Sequence, residues 1–523
     1  MFVSILLSRF SLLSLTLAGI VSCGSSYRNG KPNFVFIITD DQDLHLGSLD
    51  YMPLVKKHLG KQGGYTKFIS QGLNDKYLPV WLQEAGYDTH YTGKLMNGHS
   101  TSTWNKPLPA GWNSTKFLVD PGTYIYWNAT FQENQSPPAP APGQYNTDLV
   151  KEQGLAFIDA VSKTDRPFFV GIAPIGPHAE FTGSRPFTKP VGATRHQKLF
   201  LDAKAPRTSN WNPDEPSGAS WISKLKKLND TVIDFHDEWH VGRLQSLQSV
   251  DELIDEVFQR LEHYNLLDNT YVIFTSDNGY QLQPGKTCAF EEDINVPFYV
   301  RGPNVPKGKA VDVVTTHTDI VPTLFELAGI DQRSDFDGQP IPVTSKAIAQ
   351  QAKNKKRDHV NVEFWGEGGD EGKYGLDAPN NTYKAVRIIG ERYNLLYTVW
   401  CTNEHELYDM TKDPGQLNNL VTPSKRRTLV LKQPISKLQA RLDALLLVLK
   451  TCKASSCTDP WSVIHPEGDV VNLEDALASK YDGFYAKQPK VSFSKCELGQ
   501  ILSSEGPQTG NSYQGGELWP HWV

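Results

Sequence analysis

The stretch "IITDDQDLHL", Ile37 to Leu46, sets Asp40, Asp41 and Asp43 within four positions, directly after the apolar run "FVFII". Like charges crowded at the end of a buried strand are costly unless something positive binds there. Three more strand-like runs end in groups that could share this chemistry. "DTHYTGK" ends in Lys94, "FFVGIAPIGP" leads into His178, and "YVIFTSDN" ends in Asp277 and Asn278. Taken singly, each has an ordinary reading: an Asp-Asn-Gly turn, a solvated lysine, a surface histidine. Ligands of open α/β sheets sit beyond the carboxyl ends of the strands, so the joint placement is the informative part. Asp40, Asp41, Asp277 and Asn278 offer only oxygen donors, which suit Ca²⁺ or Mg²⁺. Three carboxylates overcompensate one divalent ion. Lys94, Lys286 and His178 can share the surplus and face an anionic substrate.

The elements that must position these groups are legible as hydrophobic patterns. "NFVFIITDD", "PFFVGIA" and "TYVIFTSDNG" read as buried strands, short apolar runs ended by polar residues. "YMPLVKKHLGKQG", "YLPVWLQEAGY" and "NTDLVKEQGLAFIDAVSK" read as helices. A long helix is expected from Trp239 to Leu267, with Val250, Leu253, Ile254, Val257, Leu261 and Tyr264 at helical spacing. "NVPFYVRGP" and "DIVPTLFELAG" continue the alternation of strand and helix. The fold class expected is therefore α/β, a mostly parallel central sheet flanked by helices over residues 30–345. "HVNVEFWG", "YKAVRIIG", "RYNLLYTV" and the helix "SKLQARLDALLLVLK" predict a smaller antiparallel sheet with a helix over 358–450. Residues 451–523 form a cysteine-containing extension.

Composition bounds the function classes. The 523 residues are 39% hydrophobic and 21% charged, an ordinary globular mix, and the net charge of -6 comes without a basic stripe, which argues against nucleic acid as partner. Residues 1–22 resemble a secretory signal peptide rather than a membrane anchor, because the apolar core after Arg9 is short and interrupted by serines. Secretion is the expected localisation and no stable membrane span is expected. Asn113, Asn128, Asn134, Asn229 and Asn380 head Asn-x-Ser/Thr sequons, which makes a glycoprotein the expectation. Of the six cysteines, Cys452 and Cys457 are spaced to close a small loop; the pairing of Cys288, Cys401 and Cys496 is not readable from spacing.

"PNFVFIITDDQD", "YTGK", "APIGPH", "LLDNTYVIFTSDNGY", "PGKTCAFEEDINVPFYVRGP", "DIVPTLFELAG" and "ELYDMTKDPGQLNNL" together resemble the sulfatases of the alkaline phosphatase superfamily, with "LKTCKASSCTDPW" similar to secreted fungal-type arylsulfatases. The resemblance implies an alkaline phosphatase-like fold and a calcium ion, ahead of magnesium, held by Asp40, Asp41, Asp277 and Asn278. It implies that Lys94 and Lys286 bind the sulfate or leaving oxygens, and that His178 binds the sulfate and helps protonate the departing alcohol. Its substrate would be a small aryl sulfate or a sulfated glycan. Asp43 is not used by the family pattern.

Two departures qualify the resemblance. Many sulfatases carry a histidine two positions after the lysine matching Lys94; here Met96 stands there, with Asn97 and His99 nearby, and His99 is the candidate substrate contact. Sulfatases also carry Cys-x-Pro-x-Arg, or a serine version, soon after the first strand and its helix. That cysteine becomes formylglycine, the nucleophile. Here no cysteine lies between Cys23 and Cys288, none of the six is followed by x-Pro-x-Arg, and "KQGGYTKFISQG" passes straight on. The Gly63–Gly64–Tyr65 junction reads as a deletion of the nucleophile segment. Three functions follow: an arylsulfatase-type hydrolase with impaired turnover, a non-catalytic calcium-containing binder of sulfated ligands, or a phosphoester hydrolase using Thr66 or Ser70. His317 and Asp319 in "THTD" would serve the last as extra metal ligands, although the sulfatase resemblance assigns that segment to a helix start.

Overall fold

The computed structural model describes residues 30–52, 68–69, 72–183, 186–282, 285–352, 357–366, 368–369, 372–375, 377–378, 380–425, 427–497 and 501–507. The signal-like segment, the Gly63–Gly64–Tyr65 junction, Thr66, Ser70 and most of "YMPLVKKHLGKQG" lie outside the described residues.

In chain order the larger sheet and its helices are β1 (Asn33–Thr39), α1 (Leu78–Glu84), β2 (Asp88–Lys94), β3 (Ser114–Leu118), β4 (Thr130–Glu133), β5 (Ala139–Pro140), α2 (Asn146–Val161), β6 (Phe168–Ala173), α3 (Asp230–His263), β7 (Thr270–Ser276), β8 (Tyr299–Arg301) and α4 (Ile320–Ala328). The sheet runs β5-β4-β3-β2-β6-β1-β7-β8. Its five central strands β3, β2, β6, β1 and β7 are parallel, and β4, β5 and β8 are antiparallel edges. Every residue of β6 and β7 is buried, which explains their unbroken apolar runs. Alternate side chains separate two cores. Val35 and Ile37 join Leu155 and Ile158 of α2 and Val250 and Leu253 of α3. Phe34 and Phe36 face Leu324 and Ala328 of α4. Parallel register sets Thr39 beside Ser276, so all parallel strands deliver their carboxyl ends to one edge.

Two boundaries differ from the sequence expectation. α3 begins nine residues before Trp239, because the Asn229 side chain accepts from Val232 N–H and caps it there. It ends at His263 rather than Leu267, since Leu267–Asn269 forms a separate tight turn leading into β7. Segment "THTD" opens a helix: Thr316 and Asp319 form a reciprocal capping box, and Gly329 closes α4 in the left-handed conformation.

The second sheet contains β9 (His359–Phe364), β10 (Tyr383–Ile389), β11 (Asn394–Trp400) and β12 (His405–Asp409), all antiparallel in the order β12-β11-β10-β9. Helix α5 (Ile435–Leu449) packs on it, and Trp461, Tyr485 and Phe493 of the extension join the same core. Cys401 pairs with Cys496 and Cys452 with Cys457, while Cys288 remains a buried thiol. Among the described residues no helix is long and apolar enough to cross a membrane.

Candidate functional site

The ends of β1 and β7 are locked together by side-chain bonds. Thr39 Oγ1 donates to Thr275 O at 2.9 Å, and Gln42 N–H donates to Ser276 Oγ at 2.5 Å. Asp277 Oδ1 accepts from Asp41 N–H at 2.8 Å and from its neighbour Asn278 N–H at 2.9 Å. Asp41 has φ +63°, the left-handed region that disfavours a side chain, and this reversal turns consecutive carboxylates of residues 40 and 41 into one site. Gly279 lets the β7 loop pass tightly beneath Glu292: a Cβ there would sit 1.8 Å from the Glu292 carbonyl oxygen.

The cations come from other elements. Lys94 ends β2 and its Nζ lies 2.7 Å from Asp40 Oδ2 and 3.6 Å from Asp277 Oδ2. Gly93 precedes it at φ +100°, where a Cβ would meet the Ala173 carbonyl of β6 at 2.0 Å. Lys286 Nζ lies 2.8 Å from Asp41 Oδ2 and 3.1 Å from His178 Nε2. His178 Nδ1 is 2.7 Å from Ala179 O. A carbonyl only accepts, so Nδ1 carries the proton and Nε2 offers its lone pair to Lys286. Tyr124, which sequence reading did not single out, stacks on His178 at 4.3 Å between ring centroids, has Lys94 Nζ 5.0 Å from its own centroid, and donates to Asn97 Oδ1 at 2.9 Å.

Thus Asp40, Asp41, Asp277, Asn278, Lys94, His178 and Lys286 are brought together. His99 is not: it is buried edge-on against Phe117 at 5.3 Å, outside the cavity that Lys94, Met96 and Asn97 line, because the turn after Lys94 directs it into a side core. Asp43 is also separate, buried on Arg243 at 3.0 Å. Asp319 is closed off by Arg357 and by Gln339 N–H, so it serves the helix start.

Burial and neighbouring charges pull the groups at this edge in opposite directions. Burial, then the Asp40 carboxylate, pushes Asp277 up to about 7. Burial acts upward on Asp41 too, but Lys286 and His178 outweigh it and hold that carboxyl well below the usual range. Burial would lower Lys94, yet Asp40 and its neighbours raise it well above an ordinary lysine. Asp40, Asp41 and His178 present ligand atoms within 4.8 Å of one another; the carboxylate oxygens among them suit a hard cation, and Asp277 Oδ2 lies 3.6 Å from the Lys94 ammonium that also meets Asp40. Asn278 turns Nδ2 toward Asp41 Oδ1 at 2.7 Å, so half a turn of its amide would present oxygen instead. Beside Lys94, Asp40 and Asp277 lies a cavity of about 290 Å³ walled by Phe36, Ile38, Tyr91, Trp112 and Phe169.

Residues 49–330 match the family model described as "Sulfatase", and residues 284–444 match "N-sulphoglucosamine sulphohydrolase, C-terminal". Similar proteins include "Sulfatase ppz1" of Metarhizium majus (strain ARSEF 297), 38% identical over 90% of this chain and 96% of that protein. An "Arylsulfatase" of Volvox carteri is 34% identical over 92% of this chain and 84% of its own length. Among solved structures, BT4656 in complex with its substrate D-glucosamine-2-N,6-O-disulfate superposes with a TM-score of 0.56 at 18% identity, covering 80% of this chain and 97% of the other, a likeness of fold. The class so defined is that of sulfuric ester hydrolases on an alkaline phosphatase-like α/β fold. The chain belongs to the sulfatase family.

Proposed function

We propose that this chain is a secreted sulfatase-family protein that binds the sulfate group of an aryl sulfate or sulfated glycan at the Asp40–Lys94–His178–Lys286 cluster, with arylsulfatase turnover impaired. The observation that carries it is the convergence of two ammonium groups and an imidazole on paired carboxylates at one sheet edge. Asp40, Asp41, Asp277 and Asn278 would hold calcium, which supplies charge neutralisation and Lewis-acid polarisation of a sulfuryl oxygen. Lys94 and Lys286 would neutralise the remaining sulfate oxygens, and His178, whose Nε2 accepts from Lys286 here, would take up a proton at that nitrogen as imidazolium and pass it to the departing oxygen.

Impairment rests on the sequence, in which no cysteine heads Cys-x-Pro-x-Arg. Disulfides Cys401–Cys496 and Cys452–Cys457 support passage through an oxidising compartment. Of the two extra ligands the phosphoester reading would use, His317 and Asp319, the second has its side chain engaged in the helix cap, which favours the sulfatase reading.

The test is a calcium titration followed by an aryl sulfate, read by calorimetry and by turnover. We expect calcium-dependent binding and a rate at least about 10⁴-fold below that of a working sulfatase, because losing the nucleophile removes most of the rate. Turnover at an ordinary sulfatase rate refutes impairment. Absence of calcium binding by the folded protein refutes the site.

A further inference from the structure

Arg243 lies midway along α3, 1% exposed, and touches both halves of the site without reaching its ligand atoms. Its Nη2 donates to the Asp41 carbonyl oxygen at 2.6 Å and to Asp43 Oδ1 at 3.0 Å. Its guanidinium lies 3.9 Å from the ring centroid of Tyr280, three residues past Asp277. Nε and Nη1 have no hydrogen-bond partner, so in this buried position the group is committed to that one pair of acceptors and to the Tyr280 face. Asp43 in turn accepts from Ser48 N–H at 3.1 Å, and the Ser48 hydroxyl donates to the Asp43 carbonyl at 3.2 Å, which ties the turn after β1 to the same anchor.

Asp41 needs such an anchor. At φ +63° Asp41 sits in the left-handed region, which aspartate enters more readily than most residues but as a minority conformation, and the peptide group between Asp41 and Gln42 carries the carbonyl that Arg243 grips. If that peptide relaxed, the Asp41 carboxylate would leave the position where it meets Lys286 and the Asn278 amide. We propose that Arg243 is a positioning residue for the cation site: it fixes the Asp41 backbone through the carbonyl and the β7 loop through Tyr280, and Asp43 is present to neutralise it. This rests on the calcium reading above and adds to it a dependence on a side chain that binds neither metal nor sulfate. A bare positive charge near the site would weaken calcium binding, so a purely electrostatic role predicts the opposite sign from a positioning role.

The test measures calcium affinity by calorimetry and melting temperature in chelator for wild type, Asp43→Asn, Arg243→Met and the double variant Asp43→Asn/Arg243→Met. The double variant removes one charge of each sign from a buried pair, so it is expected to recover most of the melting temperature that Arg243→Met loses, yet to bind calcium at least about tenfold more weakly than wild type. Asp43→Asn, which keeps the grip on the Asp41 carbonyl, is expected to stay within about threefold of wild type. Arg243→Lys covers the case in which the double variant does not fold: one ammonium reaching the Asp41 carbonyl should restore calcium affinity toward wild type, and failure of a folded Arg243→Lys to exceed Arg243→Met counts against the proposal. A folded double variant that binds calcium as wild type overturns it. Wild type that binds no calcium instead overturns the calcium reading on which it rests.

Discussion

Asp277 and Asp358 are two aspartates largely removed from water, one just past a strand of the larger sheet and one just before a strand of the smaller, and they are treated oppositely. Asp358 accepts from three donors, Tyr393 Oη at 2.5 Å, Trp461 Nε1 at 3.1 Å and Leu473 N–H at 3.2 Å, and the His359 ring lies beside it with Nδ1 at 3.4 Å. Burial would raise its pKa, but His359 and the other donors outweigh it and hold the carboxyl below its ordinary value. Asp277 has two backbone donors on one oxygen, while its other oxygen faces Lys94 at 3.6 Å and the Asp40 carboxylate is close enough to help raise its pKa to about 7. Burial alone therefore says little about function. A buried carboxylate whose donors are complete is spent on holding the fold together; one crowded by another carboxylate has charge left over for a partner, which is why Asp277 belongs to the proposed cation site and Asp358 does not.

The contrast can be broken by exchanging which property is lost. Asp358→Ala leaves three buried donors without an acceptor and is expected to lower stability by about 4 kcal/mol in urea unfolding, with calcium affinity unchanged; loss of calcium binding in the folded variant would dissolve the distinction. Glu406 stands between the two cases. It accepts from Ala219 N–H and from Trp400 Nε1 at 2.9 Å, yet burial pushes it up to about 7. A carboxyl raised in the folded state releases its proton more readily when unfolded. This group's contribution is thus complete below about pH 4.5 and is lost as the pH rises to 7, a fall of about 3 kcal/mol that Glu406→Gln should flatten in unfolding curves across that range.

Asp277→Asn is expected to weaken calcium binding about 100-fold, or about 2.7 kcal/mol. It should leave the melting temperature in chelator unchanged or higher, because it removes a charge that burial and Asp40 disfavour. An equal fall in both measurements would put Asp277 in the same class as Asp358. The smallest effect is expected from Tyr124→Phe, which removes the bond to Asn97 but keeps the ring on His178: a loss of about 0.5–1 kcal/mol by thermal melting, with sulfate affinity retained. A large loss of sulfate affinity would make the phenol a ligand contact.

Much of the larger sheet was legible because its strands are buried on both faces. β1, β6 and β7 appear as unbroken apolar runs, and each is followed by the polar group it delivers. The short strands β3–β5 were not read, nor was the edge strand β12, because runs of two to five mixed residues leave no clear period. α3 was found by its apolar spacing but its start was not, since the signal there is a single capping asparagine.

The sequence by itself determined which groups stand at strand ends: Asp40, Asp41, Lys94, His178, Asp277 and Asn278 follow from where the apolar runs stop. It also settles that no cysteine heads Cys-x-Pro-x-Arg. Only the tertiary structure decided who meets whom. The pairing of Lys94 with Asp40 and of Lys286 with Asp41, the turning of His99 into a side core, the Cys401–Cys496 bridge across 95 residues, and the grip of Arg243 on Asp41 and Asp43 all join residues distant in the chain. Local patterns record burial and capping, which act over a few residues. Charge pairing depends on distance in space, which the sheet order and register set.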